Sequence, residues 1–153
     1  MDWQLLRDKI YYLDGSLRDI IVRNTNRNDW LLWIDFVNSN YQIEFTVDGS
    51  DDILNQIDKE IVFNNFDSPD KTLNCSVYLG QIILKCYFFH GEIENDITPR
   101  EINTLDDHNN LVEYLVKIST LLNKRVILCD EGFTENRTEL IVADNGHITI
   151  HIE

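Results

Sequence analysis

Apolar and polar residues alternate in two stretches of this chain and recur at helical spacing in two others. From Cys75 the apolar positions are Cys75, Val77 and Leu79, then Ile82, Leu84, Cys86 and Phe88, with Gly80-Gln81 between the two runs. A period of two places them on one face, and glycine in the first central position suits a type II′ turn. The pattern predicts a hairpin over 75–89 with Cys75 opposite Cys86. A second hairpin is predicted from Glu139 to Ala143 and from His147 to Ile152. With Asn145-Gly146 as its turn, Ala143 pairs with Ile148 and Ile141 with Ile150. A third is read from Ile10 to Leu13 and Ser16 to Val22 around Asp14-Gly15, a dipeptide that supplies the positive-φ pair of a type I′ turn.

The helical period appears at Trp30, Trp33, Ile34 and Val37, predicting a helix over 26–39 with Thr25 as its cap and both tryptophans in the core. It appears again at Leu111, Leu115, Ile118 and Leu122, beside Val112, within a helix over 105–122 capped by Thr104. Ile53, Ile57 and Ile61 recur at four, so a further helix over 51–60 with Ser50 as cap is expected. Single strands are expected at 41–47 and 125–129. The result is an α+β fold, a mainly antiparallel sheet built from three hairpins with two or three helices packed on it. A hairpin–helix–strand unit would occur twice, at 9–47 and 74–129. The segment from Phe66 to Thr72 reads as an exposed loop and not a boundary. The length of 153 residues fits a single domain, 1–153.

Composition narrows the function classes. The chain has 27 Asp+Glu against 13 Lys+Arg, a net charge of −14, which repels nucleic acid and anionic membrane and suits a basic protein partner. No apolar run approaches the roughly 18 residues of a membrane span, and the start Met1-Asp2-Trp3-Gln4 has no signal-peptide pattern, so the expected compartment is the cytoplasm. The charge is uneven. Residues 1–43 hold six acids and five bases, whereas 44–70 hold eight acids and one base, 92–113 seven and one, and 130–144 five and one. Such patches either solubilise the surface or steer a basic partner.

Few residues point to catalysis. His90, Glu92, Glu94 and Asp96 would share one face of an extended strand, a set able to hold a metal or to do acid/base work; the plainer reading is a strand end with Ile93 and Ile97 inward. His147 and His151 lie too far apart on a strand, about 13 Å, to share a metal, so they read as a polar outer face. Asp106 and Asp107 complement a helix dipole. Val47 to Asp52 lacks the ligand spacing of an EF-hand. No phosphate loop, nucleophile elbow or zincin motif occurs. Cys75, Cys86 and Cys129 lie in apolar runs without zinc spacing and are expected to pack as reduced hydrophobes. Arg18 and Asp19 fall on opposite faces of their strand.

The run Lys9-Ile10-Tyr11-Tyr12-Leu13-Asp14-Gly15-Ser16-Leu17-Arg18-Asp19-Ile20, followed by Asp29-Trp30 on a helix, resembles small bacterial immunity-type proteins of polymorphic toxin systems. Ile93-Glu94-Asn95-Asp96-Ile97 and Asp107-His108-Asn109 extend the likeness over most of the chain. It matches no motif of assigned role, so no functional residue is carried over. The resemblance implies a cytoplasmic inhibitor, not an enzyme, that binds one cognate toxin without a cofactor or metal. The expected contact residues are Asp48, Asp51, Asp52, Asp58 and Glu60 in one acidic lobe, and Glu92, Glu94 and Asp96 in another. The competing readings are a metal-assisted or acid/base enzyme built on His90 to Asp96, and an acidic mimic of nucleic acid.

Overall fold

A computed structural model describes residues 2–131 and 137–152. The helices are α1 (Trp3–Lys9), α2 (Arg27–Asn40), α3 (Lys59–Asp67) and α4 (Leu105–Leu122). The strands are β1 (Arg18–Arg23), β2 (Gln42–Val47), β3 (Leu73–Leu79), β4 (Ile82–Phe89), β5 (Glu92–Ile97), β6 (Val126–Asp130), β7 (Glu139–Asp144) and β8 (His147–Ile150). All eight belong to one sheet in the order β2-β3-β4-β5-β1-β6-β7-β8, each neighbour antiparallel. The fold is α+β, as the patterning implies. Among the described residues no helix is long and apolar enough to cross a membrane.

The four helices pack on one side of the sheet. Leu6 of α1, Trp30, Trp33, Ile34 and Val37 of α2, Val62 of α3, and Leu111, Leu115, Ile118 and Leu122 of α4 join the inward residues of the strands in one buried cluster. A reciprocal capping box starts α2: Asn26 Oδ1 accepts from the Asp29 amide at 2.9 Å and Asp29 Oδ2 from the Asn26 amide at 3.0 Å. The predicted cap, Thr25, instead donates its hydroxyl to His90 O at 2.9 Å. Thr104 caps α4 as expected, and Asn123 ends that helix at φ 53°. Trp33 Nε1 donates to Tyr114 Oη at 3.0 Å, and Tyr114 donates to Asn95 Oδ1 at 2.6 Å, tying α2, α4 and β5 through the core.

Two of the predicted hairpins form in the predicted register. Cys75 faces Cys86 across β3–β4, and Ala143 faces Ile148 with Ile141 facing Ile150 across β7–β8. Asn145 (φ 50°) and Gly146 (φ 81°) make the type I′ turn. The hairpin over 10–22 does not form. Residues 3–9 are helical instead, and the guanidinium of Arg18 donates to Ile10 O at 2.9 Å and Tyr12 O at 2.7 Å. Those carbonyls therefore serve a buried cation, not a strand partner. Asp14 accepts from the Ser16 amide and hydroxyl, a local turn, and β1 pairs with β5 and β6. The repeated hairpin–helix–strand unit fails with that hairpin. The helix expected at 51–60 is also displaced. Asn38 Oδ1 accepts from the Ile57 amide at 2.8 Å and its Nδ2 donates to Ile57 O at 3.0 Å, which removes both backbone groups from a helical ladder. Leu54 bridges Phe45 of β2, Ile53 is 70% exposed, and the helix begins at Lys59, after Asp58.

Candidate partner-binding face

The side of the sheet opposite the helices carries the candidate site. Strand alternation sends Lys85, Tyr87 and Phe89 of β4, Glu92, Glu94 and Asp96 of β5, Asp19, Ile21 and Arg23 of β1, and Ile127 and Cys129 of β6 to this side. The register aligns them in rows. Lys85 faces Asp96, Asp96 faces Asp19, and Asp19 faces Cys129; Tyr87 faces Glu94, Glu94 faces Ile21, and Ile21 faces Ile127. Among the described residues no helix packs on this face, and Ile21, Ile127, Cys129 and Val142 form a small buried cluster of their own there.

Carboxylates outnumber the cations that could neutralise them. Arg137 Nη1 lies 3.1 Å from Asp19 Oδ2 and 3.9 Å from Glu94 Oε1, close enough for ion pairing but without hydrogen-bond alignment. Lys85 Nζ donates to Ser76 Oγ at 2.9 Å, and Tyr87 Oη donates to Asp96 Oδ2 at 2.7 Å. Burial, with Glu94, Asp96 and Glu131 nearby, pushes the Asp19 carboxyl up to about 6 against the pull of Arg137. Glu94 is raised by burial and by Glu92 and Asp96; Asp96 is raised by burial and Glu131 despite the Tyr87 hydrogen bond. Beside these acids, the Tyr87 and Phe89 rings stack at 6.4 Å and 14°, with the residues 42% and 51% exposed. The combination offers carboxylates for a cation and aromatic faces for its aliphatic stem or guanidinium plane.

The expected contact residues separate into two places. Glu92, Glu94 and Asp96 are on this face, joined by Asp19, Tyr87, Phe89 and Arg137, which the sequence reading did not assign. Asp48, Asp51, Asp52, Asp58 and Glu60 lie around the far edge strand β2 and the start of α3. Two of them serve the fold: Asp48 Oδ1 accepts from Asn74 Nδ2 at 2.9 Å, and Asp58 caps α3 by accepting from the Ile61 amide. Because β3 and β4 separate β2 from β5, the two lobes stand roughly 14 Å apart at three strand spacings.

His90 does not join the acids. It sits in the β4–β5 turn, its ring edge-on to Phe66 of α3 at 5.5 Å, while its carbonyl accepts from Thr25 and Trp30. The single-face set of His90, Glu92, Glu94 and Asp96 is thereby broken, because the chain turns at His90-Gly91 between β4 and β5 and the alternation of β5 does not extend to His90. Among the described residues no group of three or more His, Cys, Asp and Glu side chains is arranged to hold a metal ion. Burial raises the Cys129 thiol to about 11, which leaves little thiolate at neutral pH. In the third acidic segment Asp130, Glu131 and Glu139 bond to Thr138, Leu17 and Arg125, while Glu135 falls outside the described residues. Comparison of the chain with protein families, curated proteins and solved structures finds no match.

Proposed function

We propose that the protein is an immunity-type binding protein that neutralises a basic toxin by docking it on the helix-free face of the sheet. The observation that carries the reading is the exposed Tyr87–Phe89 stack set among Glu92, Glu94 and Asp96. Exposed aromatics at the centre of a patch supply affinity when a partner excludes water from them, and a surplus of negative charge raises the association rate of a basic partner. The resemblance of residues 9–20 to immunity-type proteins supports the inhibitor role. The edge lobe at Asp51 and Asp52 steers a basic partner through its charge, and its exposed apolar residues, Ile53 and Leu54, lie in the loop that bridges β2.

The adjacent gene supplies the first test. A large neighbouring gene with a variable C-terminal domain provides the partner, and co-expression should abolish that domain's toxicity. A metabolic operon in its place, or undiminished toxicity, contradicts the proposal.

A further inference from the structure

We infer that the end of the helix-free face between β1 and β6 is a binding site for a small phosphomonoester. The antiparallel register of β1 and β6 runs from Arg18–Asp130 to Ile21–Ile127 and stops there. Continued to the end of β1, it would set Arg23 directly opposite Arg125, on the side where Ile21 and Ile127 already face one another. Like charges directly opposite each other in a ladder are destabilising, and the pairing ends before this position. The gap is a cavity of about 320 Å³ lined by Arg23, Asn24, Lys124, Arg125 and Ile127.

Three of the 13 basic residues of a chain with net charge −14 meet at this cavity. Their neutralisation is incomplete. Lys124 Nζ is 3.8 Å from Asp29 Oδ2, an oxygen that already accepts from the Asn26 amide. Arg125 Nη2 is 3.2 Å from Glu139 Oε1, with the two side chains 50% and 36% exposed, a solvated pair that contributes little. Among the described residues no carboxylate comes within ion-pairing distance of Arg23. Glu92, its partner across β1–β5, lies on the same side of the sheet but does not close onto it.

A phosphoryl group matches this arrangement. Two guanidinium forks and one ammonium can each donate to a different oxygen, and an anion between Arg23 and Arg125 turns their repulsion into a bridge. A carboxylate brings a single charge and two oxygens to three donors. Asn24, at φ 58°, adds a neutral amide, and the buried Ile127 gives the organic part of an ester an apolar floor. The volume is at the small end of ligand sites, which span roughly 300–1,000 Å³, and suits one phosphate with a short substituent. A polyanion fits poorly, because Glu92, Glu94, Asp96 and Asp19 continue the same face and repel further phosphates. The site is the cationic end of the face and stands whether or not the acidic part docks a toxin.

The experiment titrates isotope-labelled protein with phenyl phosphate at constant ionic strength, with sodium chloride as the reference, and follows the backbone amides by NMR. The expected result is a saturable shift confined to 23–24 and 124–127, with a dissociation constant of about 1 mM or lower, and competition by inorganic phosphate. Arg23→Gln and Arg125→Gln, both at exposed positions, should each weaken binding at least about tenfold through lost charge-assisted bonds, with the rest of the spectrum unchanged. Lys117→Gln, which removes the same charge from α4 away from the cavity, should leave binding within about twofold. Shifts that never saturate, that sodium chloride reproduces, or that persist at full affinity in Arg23→Gln overturn the proposal. So does equal weakening by Lys117→Gln, or a single-stranded oligonucleotide that binds there more tightly than phenyl phosphate.

Discussion

At the scale of single residues, Asp19 is where the fold gives up stability. Its carboxyl is about 7% exposed and is pushed up to about 6, so between its unfolded value and about pH 6 the folded form holds a proton that the unfolded chain releases. A raised carboxylate favours folding below the unfolded value and loses that contribution as pH rises through about 6. His108 acts in the opposite sense. It is buried, bonded to Tyr11 Oη at 2.6 Å and lowered by burial, so its contribution is present above the unfolded histidine value and lost as pH falls. Asp19→Asn removes only the first effect. It should stabilise the protein by roughly 1–3 kcal/mol at pH 7.5 and by much less at pH 5, measured by urea unfolding at both. Equal effects at the two values would mean that Asp19 is not held protonated by its surroundings.

The acids on β5 were legible because they alternate within six residues. Asp19 and Arg137 were not, since β1 and the chain at Arg137 reach them only through pairing across the sheet. A signal did exist for Tyr87 and Phe89: the register that buries Cys86 must turn Lys85, Tyr87 and Phe89 outward.

At the scale of elements, the hairpins at 75–89 and 139–150 were readable because their turn residues and both apolar faces are adjacent in sequence. The failures have a common cause, a polar side chain that takes over backbone groups. Arg18, fully buried, holds the loop after α1 through Ile10 O, Tyr12 O and Leu17 O, and its guanidinium lies 4.1 Å from the Tyr12 ring centre. Arg18→Met should cost about 3 kcal/mol or more, because buried carbonyls lose their donors. Chemical denaturation reads this directly; a loss under about 1 kcal/mol, the value of a single hydrogen bond, would mean that the loop holds without the clamp. Asn38 does the same for the loop at 48–57. In Asn38→Ala the Ile57 amide should exchange with solvent at least about tenfold faster, the equivalent of losing one bond of roughly 1.4 kcal/mol. Unchanged protection there would show that the Phe45–Leu54 bridge alone positions the loop.

At the scale of the whole molecule, the charge of −14 resolves into places with different work. The acids near β2 cap a helix and line an edge, those on β5 and β1 crowd one open face, and the first 43 residues are close to neutral. If steering comes from the summed field, the association rate with a basic partner should fall steeply between about 50 and 200 mM salt, while dissociation changes little. Stopped-flow measurement separates the two rates, and salt-independent association would remove the electrostatic part of the account.

On the proposed function, the partner meets the Tyr87–Phe89 face and not the β2 edge. Hydrogen exchange of the protein alone and bound to the neighbouring toxin domain tests it most directly, with Tyr87→Ala/Phe89→Ala measured alongside. Docking on that face is expected to concentrate protection on β4 and β5 at 85–96 and to leave binding at least about a hundredfold weaker in the double variant, two anchors at roughly 1–2 kcal/mol each. Protection confined to 48–60, with binding unchanged in the double variant, would contradict it.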